Sequence, residues 1–174
     1  IRQAQELGEQ MDYERQEELL IQAIGLDWDR PEAYANLGGL LYQLGDYQQA
    51  IDLLSQLEPD RSGALSQGEA AVAQGQIQYI LASCYYQQED YDRALSCYEL
   101  AAYFCPEEAA YQRDLAVCYA RLGYQEQARQ AVSVLQGMAA QPGATELAAG
   151  EIAYASRDYQ LALDQLSQAA SLSE

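Results

Sequence analysis

The chain has 174 residues and a mass of 19.3 kDa, enough for one domain or a short repeat array that buries about 70% of its unfolded surface. Its 27 acidic residues outnumber nine basic ones, all Arg, for a net charge of −18. The absence of Lys and His rules out an imidazole base, a Schiff-base or phosphate-loop lysine and a His-ligated metal within this segment, and so acidic a surface repels a phosphate backbone, so no nucleic-acid partner is expected.

Sliding the chain against itself in search of a fixed period yields a shift of 34 residues. Residues 1–30 pair Tyr13 with Tyr47 and Leu20 with Leu54, but Leu7, Gly8 and Met11 sit too close to them, so this stretch is read as a shortened, degenerate repeat. Residues 31–74 open with Tyr34, Leu37, Gly38 and Leu41, apolar or small at i, i+3, i+4 and i+7, which predicts a helix with one buried face. The turn Leu44-Gly45-Asp46 follows, then a second helix with Ala50 and Leu54.

This repeat is ten residues longer than the others, and the excess lies in residues 58–74. Pro59, Asp60, Arg61, Ser62 and Gly63 read as a loop, and Ser66-x-x-Glu69 as a capping box. From there Val72, Ile77, Ile80, Leu81, Cys84 and Tyr85 keep a helical stripe. The next first helix is therefore predicted to start early, run about ten residues past the others and protrude by about 15 Å.

In residues 75–108, Leu81, Ala82, Cys84 and Tyr85 lead to Gln88-Glu89-Asp90 and Ala94. Residues 109–142 repeat the pattern with Leu115, Ala116, Cys118 and Tyr119, the turn Leu122-Gly123-Tyr124 and Ala128. Residues 143–174 form a truncated copy with Gly150, Ser156-Arg157-Asp158 and Ala162. The recurring alanine of each second helix is read as a packing device that lets paired helices reach an interaxial distance of about 8 to 10 Å. Cys84 and Cys118 stand one repeat apart and are expected to fill equivalent buried slots as free thiols. With no C-x-x-C pair and no histidine, neither a metal nor a cofactor is expected. The predicted architecture is all-α, an α-solenoid of antiparallel helix pairs.

With Tyr34, Leu37, Gly38, Leu41, Ala50 and Leu54 in one copy, and Leu81, Ala82, Tyr85, Ala94, Tyr98 and the closing Pro106 in the next, the sequence resembles the tetratricopeptide repeat (TPR) family over nearly its whole length. It departs from the family pattern where Gln78, Gln112 and Glu146 replace the leading aromatic, and where Ala149 and Ala153 stand for Leu and Tyr. The resemblance implies a right-handed superhelix and a protein or peptide partner held in the concave groove lined by the first helices. The family's clamp for C-terminal carboxylates is not carried over, because Lys is missing and Asn36 is its only candidate residue.

Opposite the buried stripes, the phase places Ala35, Gly39, Tyr42 and Gln43 in one first helix and Tyr79, Ser83, Tyr86 and Gln87 in the next. Arg113, Val117 and Arg121 follow, then Leu147, Glu151 and Tyr154. The candidate peptide-binding residues are Tyr42, Gln43, Tyr79, Tyr86, Gln87, Arg113 and Arg121. Tyr and Arg most often anchor interfaces, and Arg grips carboxylates, so these residues are expected to be accessible and to attract an acidic or C-terminal group. The competing expectation is that Asp114 and Glu151 absorb both arginine charges.

The chain is not expected to be an enzyme. Glu17 and Glu18, or Glu107 and Glu108, are neighbours that cannot face each other across a substrate, and they read as solvated helix starts. A docking or regulatory arm of a larger enzyme, or a secretion-chaperone-like protein, is the alternative to a binding scaffold. No apolar run is long enough to span a membrane, and a cytoplasmic location is expected. A chain that opens on Ile1 rather than Met is read as a segment of a longer protein.

Overall fold

A helix with one apolar stripe cannot bury that stripe alone, and this chain buries it by pairing helices in succession. The computed structural model describes residues 2–26, 31–57, 69–138, 143–155, 157 and 159–172. Among these residues there are nine helices and no strand: α1 (Arg2–Leu26), α2 (Pro31–Leu44), α3 (Tyr47–Leu54), α4 (Glu69–Gln87), α5 (Tyr91–Phe104), α6 (Ala109–Arg121), α7 (Gln125–Gly137), α8 (Ala144–Ala155) and α9 (Tyr159–Leu172). The pairs α2–α3, α4–α5, α6–α7 and α8–α9 each pack together, and the stack continues through α1 on α2, α2 and α3 on α4, α5 on α6, and α6 and α7 on α8. This is an α-solenoid of antiparallel helix pairs.

Three of the turns between paired helices are closed by the same hydrogen bonds. The first helix ends with Asp46 N–H on Leu41 C=O at 2.9 Å and Gly45 N–H on Tyr42 C=O at 3.0 Å. Asp90 and Glu89 repeat this on Tyr85 and Tyr86, and Tyr124 and Gly123 on Tyr119 and Ala120. Such a cap needs a left-handed residue at its centre. Gly45 and Gly123 supply it at φ 83°, whereas Glu89 (φ 61°) and, in the fourth turn, Arg157 (φ 63°) adopt it against the preference of a side chain.

The core sits where each first helix meets its partner. Ala50, Ala94, Ala128 and Ala162 are all buried. Gly38 is equally constrained, since a Cβ there would stand 2.5 Å from Leu54 Cδ1, and at Gly150 it would stand 2.7 Å from Leu166 Cγ. Leu81, Leu115, Cys84 and Cys118 are buried, and all four cysteines are free thiols. Burial pushes the Cys84 and Cys118 thiols up to about 12, so both are unreactive.

Several expectations are corrected. Residues 2–26 are one continuous helix, docked on the core through Leu20 and Ile24. Glu17 and Glu18 lie in its middle and start no helix, with Glu18 accepting from Arg15 Nη1 at 3.0 Å one turn back. In the long stretch 58–74 the loop and Ser66 lie outside the described residues, but α4 does begin early, at Glu69. Its described extension does not protrude. Ala71 packs with Ala101, Phe104, Cys105 and Tyr111, and a Cβ on Gly75 would meet Cys105 Sγ at 2.5 Å. The extension turns these small residues inward, so Val72 is 50% exposed and does not join the apolar stripe.

Candidate functional site

The first helices α2, α4, α6 and α8 line a hollow of about 560 Å³. α2 packs closely on α4, and α6 on α8, while among the described residues α4 and α6 make little backbone contact. Long side chains span the gap between them. The Tyr79 ring on α4 stacks on Tyr111 of α6 with centroids 4.4 Å apart, and its hydroxyl donates to Asp114 Oδ2 at 2.6 Å. Two helical turns further along, Arg121 Nε donates to the Tyr86 hydroxyl at 3.1 Å. A separation of 35 residues recurs in both bridges, so each joins a residue to the position next to its equivalent one 34-residue repeat later.

Six of the seven residues singled out from the sequence line this hollow: Tyr42, Tyr79, Tyr86, Gln87, Arg113 and Arg121. The seventh, Gln43, points instead into an adjoining hollow of about 600 Å³ that shares Tyr79 as a wall. The expected accessibility needs correction. Tyr79 and Arg113 are only half-exposed, and Ala35, Ser83 and Val117 of the same phase are buried. Ala35 belongs to the buried core cluster against which Leu20 and Ile24 of α1 pack, and Ser83 lies beside Tyr98, whose hydroxyl is 3.4 Å from Ser83 Oγ. The inner face of a first helix is thus covered by side chains from beyond its own helix. Tyr98 of α5 and Leu166 of α9 also line the hollow, and the first-helix phase could not reveal residues contributed by second helices.

The two arginines are not equivalent. Arg113 Nε donates to Asp114 Oδ1 at 2.7 Å, which consumes its charge locally and raises its pKa further. Asp114 therefore accepts from both Arg113 and Tyr79 and closes the floor of the hollow. Burial, followed by the Asp114 charge, pushes the Tyr79 hydroxyl far up, so it remains a donor throughout the physiological range. Arg121 is exposed, and among the described residues no carboxylate stands within 4 Å of it. Glu151 of α8 faces the same hollow, and burial, aided by the Asp114 charge, raises its carboxyl above the ordinary range although Arg113 and Arg121 draw it down. The competing expectation thus holds for Arg113 and Asp114, while Arg121 has a hydroxyl partner and no ion pair among the described residues. No group of acidic or cysteine residues able to hold a metal occurs among the described residues, and none of their helices is long and apolar enough to cross a membrane.

The family model described as Tetratricopeptide repeat matches residues 1–64 and 79–145, most of the chain. The chain belongs to the tetratricopeptide-repeat family. Solved TPR structures share the fold. MamA from Desulfovibrio magneticus RS-1 superposes with a TM-score of 0.69 at 17% identity, over 98% of this chain and 91% of that one. YrrB, described as a TPR protein with an unusual peptide-binding site, gives 0.66 at 18% identity over 99% and 84%. A thermophilic TPR protein of Thermus thermophilus gives 0.66 at 19% over 99% and 89%. No curated protein matches the chain significantly in sequence. TPR folds serve as protein-interaction scaffolds.

Proposed function

We propose that this TPR chain is a scaffold that accepts a peptide segment of a partner protein in the groove over α2, α4, α6 and α8, and that it performs no catalysis itself. The observation that carries this is the 560 Å³ hollow with Tyr42, Tyr86 and Tyr98 on its walls and the charge of Arg121 left uncovered at its edge. Tyrosine rings give a large contact area at low entropic cost. Among the described residues of the hollow, Arg121 supplies the one cation able to receive a carboxylate without breaking an existing ion pair. The repeat division 31–74, 75–108, 109–142 and 143–174, after the degenerate 1–30, gives each repeat one inner helix along this groove. YrrB's peptide-binding site supports the reading by analogy of fold.

The experiment is a peptide screen on the chain, repeated with Arg121→Ala and with Arg93→Ala as an outer-face control. Arg93 is committed to Asp90, to which its Nε donates at 2.6 Å, and it lies over the Tyr85 ring at 4.6 Å. Recovered peptides should weaken on Arg121→Ala alone. Affinity lost only on Arg93→Ala would place binding on the convex side and end the proposal.

A further inference from the structure

Each joint between successive repeats is packed by side chains from the second helix of one pair and the first helix of the next. Between α5 and α6 these are Tyr91, Leu95 and Tyr98 on α5 with Leu115 and Tyr119 on α6, all within the main core or packed against it. Between α3 and α4 the equivalents are Tyr47, Ile51, Leu54, Leu81 and Tyr85, in the same core. One repeat of 34 residues beyond the α5–α6 set, the joint of α7 with α8 has Gln125, Arg129, Val132, Ala149 and Ala153 instead. Large apolar side chains are thus exchanged for small or polar ones, and all five line a hollow of about 690 Å³ whose wall Ile152 and Leu161 complete. The stack does not close over it, because α8 is held by its packing on α6 and α9. No described lining residue is shared with the hollow over the first helices.

The exchanged groups define what fits. At the α5–α6 joint the Tyr119 hydroxyl donates to Glu99 Oε1 at 2.6 Å, and the equivalents of these two residues, Ala153 and Ser133, both face the α7–α8 hollow. A phenol is lost there while a hydroxyl acceptor, Ser133, remains. Among the described lining residues only Arg129 is charged, and its Nη1 donates to Glu126 Oε1 at 2.8 Å. A charged ligand would give up water for little return, and a second copy of the chain would bring a further −18 of charge to the same surface. The volume lies within the range of small-molecule sites, about 300 to 1,000 Å³. We infer that the joint of α7 with α8 is a binding site for a small, uncharged phenol, whose ring takes the space that Tyr98 and Tyr119 fill one repeat earlier and whose hydroxyl lies toward Ser133. This site is independent of the groove reading above.

The test titrates 4-propylphenol, its methyl ether 4-propylanisole and 4-propylbenzoate into the 174-residue chain, read by saturation-transfer NMR and by melting temperature. The phenol should bind and raise the melting temperature, the ether should bind several-fold more weakly for want of one hydrogen bond, and the benzoate should not bind. Ala149→Leu/Ala153→Tyr restores the residues of the preceding joint. It should raise the melting temperature of the ligand-free chain by about 2 to 6 °C and weaken phenol binding at least about tenfold. Val132→Tyr, at a half-buried wall position, should weaken binding in the same way and serves if the double variant does not fold. Ser133→Ala, at an exposed position, should weaken the phenol and leave the ether unchanged. Phenol affinity that survives Val132→Tyr and the folded double variant, or a folded double variant that melts below the parent, would overturn the site. So would failure of the phenol to bind at its solubility limit, or benzoate binding as tightly as the phenol. Tighter binding of N-acetyltyrosine methylamide than of 4-propylphenol would assign the hollow to a partner's tyrosine and also overturn the small-molecule reading.

Discussion

At the residue scale, the turn centres and Glu151 carry strain that substitution can release. Glu89 takes a left-handed conformation in a cap whose equivalents at Gly45 and Gly123 use glycine. Glu89→Gly should therefore stabilise the chain by about 0.5 to 1 kcal/mol, the steric cost removed less the extra entropy of a glycine in the unfolded state. Urea denaturation checks this, and a loss of stability would mean the Glu89 side chain contributes more than its backbone costs. Glu151 has a folded-state pKa raised by burial, so the native state favours its protonated form. Its contribution to stability is fully present below the ordinary carboxylate range and lost as pH rises through the folded value. Glu151→Gln should thus match the parent in acid and become the more stable of the two at neutral pH, as read from melting temperatures across the range. A variant that is less stable at pH 7 would show that attraction to Arg113 and Arg121 outweighs the burial penalty.

At the element scale, the pairing of helices depends on small residues at fixed places. Gly38→Ala drives a Cβ into Leu54 and should cost about 1 to 3 kcal/mol by overpacking. Leu81→Ala and Leu115→Ala should each cost roughly 2 to 5 kcal/mol by leaving cavities. Denaturant midpoints for the three measure this, and a loss under about 1 kcal/mol at either leucine would contradict its placement in the core. Most helices were legible because their apolar spacing and turn residues are local signals. The inward packing of the α4 extension was not. Ala71 and Gly75 look weakly apolar beside Val72, yet only small residues fit where Phe104 and Cys105 press on the helix, and that neighbour is contributed by a distant part of the chain.

At the scale of the whole molecule, a net charge of −18 over one small solenoid works against compaction. The described ion pairs Arg15–Glu18 and Arg129–Glu126 are exposed and one turn apart, so screening them loses little. Raising sodium chloride from about 10 to about 300 mM shortens the Debye length from about 30 to about 6 Å and should raise the melting temperature. A fall on adding salt would mean that local pairs outweigh the long-range repulsion. The same field resists acidic partners at a distance, so affinity at the proposed groove should rely on apolar contact as well as charge.

The sequence by itself determined the repeat, the helix pairs, the turn positions and six of the residues around the hollow over α2, α4, α6 and α8. Each follows from a period that is local or recurs at a fixed shift: Tyr79 and Tyr86 stand on one face of α4 by helical geometry, and Arg113 and Arg121 fall one repeat later. Only the tertiary structure decided which charge stays available. Arg113 and Arg121 share a phase, but Asp114 turns toward Arg113 and Tyr79, leaving Arg121 with a hydroxyl partner. Tertiary packing alone also brought Tyr98 and Leu166 into the hollow. A one-dimensional period specifies the face on which a side chain starts. The distance between neighbouring helices decides what that side chain meets there, and this distance is set by the packing of the whole stack.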